Sequence, residues 1–172
     1  MIMRRLRQRK SQMIGDRMVK FICDRMLGRL ARWLRMMGYD TKYDKGGEGD
    51  ADLLKRTEKS GRILLTRDME IAKRKSGATV LLVKSSQLDE QIKQVISELN
   101  LAPEPERILT LCSACGGKLK RIEKGNVFGK VPDGVFARNE EFWQCPDCGK
   151  VYWKGSHYKK ILEKIEKFRA IA

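Results

Sequence analysis

The sequence predicts a three-layer α/β domain with a parallel sheet, followed by a small β-rich zinc ribbon and a C-terminal helix. Two observations carry this prediction. Short apolar runs alternate with amphipathic segments through the first hundred residues, which is typical of parallel sheets joined by crossover helices. After residue 105 the helical periodicity fades, and two Cys-x-x-Cys pairs stand among many glycines. A final amphipathic helix is expected at 157–168.

The elements of the first part follow one another at regular intervals. Apolar residues at helical spacing predict a helix over 26–37, and Gly38 stands where a helix C-cap glycine is expected. Asp50 begins a second helix that ends near Gly61, and Ser85 or Ser86 begins a longer one. The predicted strands are 19–23, 41–43, 63–66 and 79–83, and a short helix is expected at 68–75.

The charge balance narrows the class of function. The chain has 172 residues with 37 Lys and Arg against 22 Asp and Glu, a formal net charge of +15. Such a charge usually reflects a polyanionic partner, and nucleic acid is the first candidate. No apolar stretch approaches the roughly 20 residues of a membrane span, and the N-terminus lacks a signal-like apolar segment. We therefore expect a cytoplasmic protein that does not bind membranes, and its oligomeric state stays open.

Four of the five cysteines form the pairs Cys112/Cys115 and Cys145/Cys148, each followed by glycine. Two such turns supply four thiolates in a tetrahedron, and this is the set that structural Zn²⁺ prefers. A redox-active pair of the thioredoxin type expects one Cys-x-x-Cys near a βαβ unit instead. The spacing therefore predicts a structural zinc site with no position open for catalysis. We interpret Cys23 as a small buried hydrophobic residue.

Three aspartates fall where ligands gather in open α/β sheets, beyond the carboxyl ends of the strands. Asp24 directly follows the first strand, Asp68 follows the third by one residue, and Asp50 comes after a glycine-rich loop. Close carboxylates stay ionised together when Mg²⁺ or Mn²⁺ neutralises them, and such a site suits phosphodiester hydrolysis. The alternative is that each aspartate only caps a helix.

Basic side chains accompany these acids. Several arginines recur at spacings of three and four beside Asp24, and another adjoins Asp68, so that they can hold phosphates near the carboxylates. A solvated helix face is the alternative for each of them. The candidate RNA contacts are Arg25, Arg29, Arg32, Arg35, Arg67, Lys154 and His157.

Four segments carry a resemblance to a known family. FICDRMLGRLARWLRMMGYD (21–40), DADLL (50–54), GRILLTRD (61–68) and CPDCGKVYWKGSH (145–157) resemble the Mut-seven C-terminal RNase domain family. The resemblance extends from residue 18 to about residue 167. It implies a PIN-like nuclease fold with a zinc ribbon and metal-dependent cleavage of RNA. In that family's pattern Asp24, Asp50 and Asp68 bind the catalytic Mg²⁺ or Mn²⁺, and the four paired cysteines bind zinc.

The chain then divides into a basic N-terminal extension (1–17), a PIN-like nuclease domain (18–104) and a zinc ribbon with a C-terminal helix (105–172). One hypothesis is a metal-dependent ribonuclease whose ribbon aids RNA binding. The other is a non-catalytic RNA- or ribosome-binding zinc-ribbon protein whose acids merely cap helices. Net charge does not separate the two, but the role of Asp24 and Asp68 does.

Overall fold

A four-stranded parallel sheet forms the centre of the first part of the molecule. The computed structural model describes residues 19–170, so the basic extension at 1–17 lies outside the described residues. The strands run in the spatial order β2-β1-β3-β4 and all pair in parallel. This confirms the predicted sheet. Its strands are β1 (Phe21–Cys23), β2 (Thr41–Tyr43), β3 (Ile63–Thr66) and β4 (Thr79–Leu82).

Four helices connect and cover these strands. Their bounds are α1 (Gly28–Met36), α2 (Asp50–Ser60), α3 (Met69–Lys73) and α4 (Leu88–Leu99). The first begins two residues later than predicted, because a turn in which the Leu27 N–H donates to the Asp24 carbonyl separates it from β1 (3.0 Å). Gly38 has a φ of +90°, and a Cβ there would stand 2.8 Å from the Arg107 carbonyl oxygen. The glycine expected after this helix is thus required twice, by its backbone angle and by a close approach.

Side chains of the strands alternate between two apolar cores. Phe21, Cys23 and Leu65 face the larger core, which α1 and α4 cover, whereas Ile22 and Leu64 face a smaller core under α2 and α3. Strand residues point to opposite faces in turn, so helices on both faces bury every residue of the central strand β1, whereas Lys42 of the edge strand β2 is exposed. The predicted three-layer arrangement is therefore confirmed.

The second part is a three-stranded antiparallel sheet in the order β5-β6-β7. Its strands are β5 (Lys120–Ile122), β6 (Phe142–Gln144) and β7 (Val151–Trp153), and the short helix α5 spans Asp133–Arg138. Single 3₁₀ turns occur at Pro105–Arg107 and Lys124–Val127. A small core surrounds the fully buried Phe142, together with Val127 and Val131. The paired cysteines flank this sheet, as in a zinc ribbon.

The last helix, α6 (Ser156–Arg169), returns to the first domain. Ile165 and Phe168 are buried in the larger core of the α/β domain, and the Phe168 ring meets Trp33 edge-on at 6.4 Å. The helix predicted at 157–168 is confirmed, and its apolar face packs on α/β elements although it follows the ribbon in sequence. Within residues 19–170, no helix combines the length and apolar character that a bilayer span requires.

Candidate active site and metal centre

Asp24 is the first residue after β1 and is almost fully buried, with 4% of its surface exposed. One carboxylate oxygen, Oδ1, accepts a hydrogen bond from the Met26 N–H at 2.9 Å. The other, Oδ2, accepts from the Thr66 hydroxyl and from the Arg67 N–H, the latter at 3.1 Å. These donors fix the carboxylate at the carboxyl edge of the sheet.

Thr66, the last residue of β3, joins Asp24 to Asp68. Its fully buried hydroxyl donates to the Asp24 carboxylate and accepts from the Asp68 N–H at 2.9 Å. Since β1 and β3 are parallel neighbours, their carboxyl ends meet at one edge, which is where the sequence placed both aspartates. The threonine that links them was not singled out from the sequence.

Asp68 also caps a helix, as the alternative interpretation expected. Its Oδ1 accepts from the N–H groups of Glu70 (2.8 Å) and Ile71 (3.4 Å) at the start of α3. Its Oδ2 takes part in none of the hydrogen bonds found within residues 19–170. A cap of this kind leaves one carboxylate oxygen available to a ligand.

Asp50 and Asp44 are each paired with an arginine. Asp50 is the first residue of α2, with Gly49 as the N-cap, and its carboxylate lies 3.1 Å from Arg74. Asp44 follows β2 as Asp24 follows β1, and its carboxylate lies 2.6 Å from Arg56. Sequence reasoning missed Asp44, although its place directly after a strand was the signal that identified Asp24.

The aspartates share an edge of the sheet but are not gathered as tightly as the cysteines. Within the described part of the chain, one set of three or more candidate metal ligands lies close together. It consists of the four paired cysteines. Asp24, Asp50 and Asp68 form no comparable group. The edge therefore offers hard oxygen ligands, of which Asp24 and Asp68 are linked through Thr66 and Asp50 is paired with Arg74.

The candidate RNA contacts fall into two environments. Arg25, Arg29 and Arg32 are exposed on or just before α1, and Lys154 and His157 are exposed after β7. Arg67 is half-buried beside the acids, and its Nε is buried without a hydrogen-bond partner. The group of Arg67 that contacts Asp24 is its backbone N–H, at 3.1 Å.

Arg35 departs from the expected role in RNA contact. Only 5% of it is exposed. Its Nε donates to the Thr41 carbonyl (2.8 Å), and its Nη1 donates to the carbonyls of Ser113 (3.2 Å) and Ala114 (2.7 Å). Burial lowers the pKa of this guanidinium. The helical spacing that groups Arg35 with the exposed arginines does not reveal that the first cysteine turn covers it.

The four cysteine sulfurs all lie within 4.8 Å of one another. Two Sγ–Sγ distances are 3.6 Å, for Cys112 and Cys148, and 3.4 Å, for Cys115 and Cys145. A zinc tetrahedron with bonds of about 2.3 Å has sulfur–sulfur edges of roughly 3.8 Å, so the spacing fits Zn²⁺. None of the protein's five cysteines forms a disulfide.

The two cysteine turns have the same backbone design. In each, the glycine after the second cysteine donates its N–H to the carbonyl of the first at 2.8 Å. Gly116 and Gly149 hold φ angles of +92° and +73°, which glycine adopts without strain. Around Cys112, burial opposes the charge, but hydrogen bonds from the Tyr152 hydroxyl (3.0 Å) and from backbone amides lower the thiol pKa to about 6, whereas burial raises the pKa of the neighbouring Cys115 to about 12. A thiolate is the form that binds the metal.

Comparison with known proteins identifies the family. The family model described as the Mut7-C RNAse domain matches residues 19–165, and the chain belongs to that family. The chain is also similar to a human protein described as exonuclease mut-7 homolog, at 29% identity over 106 residues. That match covers 59% of this chain and 12% of the human protein. No solved structure gives a significant match.

Proposed function

We propose that this member of the Mut7-C RNAse domain family is a metal-dependent ribonuclease that hydrolyses RNA phosphodiester bonds at the carboxyl edge of its parallel sheet. The observation that carries the proposal is the link from Asp24 through the Thr66 hydroxyl to Asp68. The RNase family and the exonuclease named among its relatives support the same chemistry. The +15 charge supports RNA as the partner.

Mg²⁺ or Mn²⁺ fits the donor set at this edge. Both ions take carboxylate oxygens and keep several waters, so the free oxygen of Asp68 and the partly exposed Asp50 suit them as ligands beside Asp24. Asp44 is the fourth acid that the fold adds. When bound, the ion supplies an activated water and neutralises charge on the phosphate.

The remaining residues bind and orient. Thr66 and the Arg67 N–H hold the Asp24 carboxylate in one orientation. The Arg67 side chain, with the exposed Arg25 and Arg29, attracts the phosphates that a cluster of carboxylates alone repels. Zinc at the four cysteines stabilises the ribbon, which aids RNA binding from residues after 104. We place the nuclease domain at 18–104 and the protein in the cytoplasm.

A non-catalytic RNA- or ribosome-binding protein is the second candidate. Two observations favour it: Asp68 is an N-cap, and Asp24 accepts hydrogen bonds from three donors. Aspartates with a purely structural role are held in this way. The two candidates differ in whether removing a carboxylate charge abolishes cleavage.

Cleavage of labelled RNA separates the candidates. Wild type, Asp68→Asn and the charge-matched control Asp133→Asn, in the ribbon, are compared with Mg²⁺, with Mn²⁺ and without added metal. We expect metal-dependent cleavage that falls by at least about a hundredfold in Asp68→Asn, because charge stabilisation by a bound metal amounts to several kcal/mol. Asp133→Asn should cleave like wild type. RNA binding without cleavage in wild type, under every metal condition, would favour the second candidate.

A further inference from the structure

A cavity of about 790 Å³ lies between the ribbon, the end of α1 and the first turns of α6. This volume is within the range of pockets that hold small organic groups. Asp24, Asp50 and Asp68 do not line it, so it is distinct from the acidic edge. We call it the ribbon cleft, and its lining includes Trp143, Tyr152 and Tyr158.

These three aromatic side chains do not pack in an apolar core of the described residues. Trp143 and Tyr152 stand directly opposite each other on β6 and β7, and Tyr158 lies in the first turn of α6. All three are half-buried, and none belongs to the apolar clusters that the described residues form. Aromatic rings that line a cavity without packing in a core are suited to contact a ligand.

Cations surround the same rings. Lys150 Nζ lies 5.8 Å from the centre of the Tyr152 ring. Lys154 Nζ lies 5.1 Å from the centre of the Trp143 ring and is also paired with the Glu141 carboxylate at 3.0 Å. Arg138 also lines the cleft, whereas no Asp or Glu among residues 19–170 does. The first turn of α6 carries no acidic residue either. The cleft therefore combines flat apolar surfaces with positive charge, a combination that suits a base and its phosphate.

We propose that the ribbon cleft binds unpaired nucleobases of single-stranded RNA. The bases stack on Trp143, Tyr152 and Tyr158, and Lys150 and Lys154 contact the flanking phosphates. Stacking on aromatic side chains beside a basic groove is how proteins hold single strands without sequence preference. An RNA duplex keeps its bases paired and stacked, so it offers no free base to a concave site. The inference rests on the proposed function for its partner, RNA, and specifies single strands as the substrate class.

The ribbon cleft is also in contact with the cysteine site. The Tyr152 hydroxyl lies 3.0 Å from Cys112 Sγ, so zinc binding and the orientation of this ring are coupled. Trp143 has no such contact with the cysteines, which makes it the better position to vary. Phe128, an aromatic residue of the same ribbon that is 76% exposed and does not line the cleft, supplies a matched control.

Fluorescence anisotropy of an end-labelled single-stranded RNA and its duplex tests the proposal. The zinc-loaded full chain carries Asp68→Asn, in buffer without added Mg²⁺, so that binding is read without cleavage. We expect the single strand to bind more tightly than the duplex. Trp143→Ala should weaken single-strand binding about tenfold, the typical effect of losing a stacking residue, with little effect on the duplex. Trp143→Phe should restore most of the affinity, and Phe128→Ala should change nothing.

Two outcomes would overturn the inference. One is unchanged single-strand affinity in both Trp143→Ala and Tyr158→Ala. The other is an equal loss for single strand and duplex in both variants. If Trp143→Ala loses its zinc, Tyr158→Ala on α6 decides the question, because its backbone lies outside the ribbon. A cleft without RNA affinity beside intact metal-dependent cleavage would refute this inference and leave the proposed function standing. Single-strand binding that depends on these aromatic residues, in a protein that cleaves no RNA, would support this inference and refute the proposed function.

Discussion

The α/β domain and the zinc ribbon reach a stable fold by different means. The α/β domain buries two apolar cores on opposite faces of one sheet, with Phe21, Leu30 and Leu65 fully enclosed. The ribbon has three strands of three residues and a small core around Phe142. Because this core is small, the four cysteines must supply the rest of the ribbon's stability. The α/β domain can thus spare buried acids such as Asp24 for chemistry, whereas the four cysteines of the ribbon are committed to folding.

Removing one cysteine should have the largest effect and should separate the two regions. In Cys145→Ser we expect loss of tightly bound zinc and a ribbon destabilised by several kcal/mol, because structural zinc contributes on the order of 10 kcal/mol to folding. The α/β domain should keep its fold, since no side chain of β5, β6 or β7 enters its two cores; the later residues that pack there are Ile108, Leu109 and those of α6. Zinc content reports on the cysteine site, and hydrogen exchange reports on the stability of the ribbon and of the α/β domain. A full equivalent of zinc bound at unchanged affinity would refute the four-cysteine site.

Arg35 connects the two regions, and its removal should have the next largest effect. Arg35→Met leaves the carbonyls of Thr41, Ser113 and Ala114 without their donor and should lower the free energy of unfolding by about 3 kcal/mol. Arg32→Met, an exposed neighbour on α1, should change it by less than about 0.5 kcal/mol. Denaturant unfolding compares them. Equal stability of the two variants would show that the regions are independent.

Thr66→Val tests the acidic edge with a smaller stability effect. The change keeps the shape and removes the hydroxyl between Asp24 and Asp68, so we expect a loss of about 1–2 kcal/mol. Cleavage should fall by more than this stability change explains, since the Asp24 carboxylate loses its orientation. Thr57→Val, whose buried hydroxyl donates to the Leu53 carbonyl of its own helix, is the control and should cleave normally. Equal cleavage rates in Thr66→Val and Thr57→Val would show that Thr66 does not contribute to the site.

The exposed arginines should have the smallest individual effects. Arg29→Ala should weaken RNA binding a few-fold and reduce the salt dependence of log K by about 0.7, the contribution of one phosphate contact on a single strand. Lys59→Ala, at the end of α2, should leave that dependence unchanged. A salt titration of binding measures both slopes. A solvated helix face, the alternative for these arginines, predicts no difference between the variants.

Local patterns predicted the fold well. The strand and helix alternation, the glycine after α1 and the cysteine spacing each depend on neighbouring residues, and the structure contains all of them. The burial of Arg35 depends on residues 78 and 79 positions later in the chain, so no helical periodicity reveals it. The same limit explains why Thr66 was missed: its role arises from a contact between two strands.

The acidic edge shows what sequence position can and cannot supply. Placement after parallel strands correctly put Asp24 and Asp68 at one edge. It did not anticipate that Arg74 pairs with Asp50 or that Arg56 pairs with Asp44, because these pairs join separate helices and loops. In the proposed site, a bound cation takes the place of these arginine partners of Asp44 and Asp50.

Binding of Mn²⁺ to the zinc-loaded protein, followed by electron paramagnetic resonance, tests the central claim most directly. The account predicts a Mn²⁺ site in wild type and in Asp133→Asn that is lost in Asp24→Asn, while the zinc content stays the same in all three. Equal Mn²⁺ binding by Asp24→Asn and wild type would contradict it, as would cleavage of RNA by a wild-type protein that binds no Mn²⁺ or Mg²⁺.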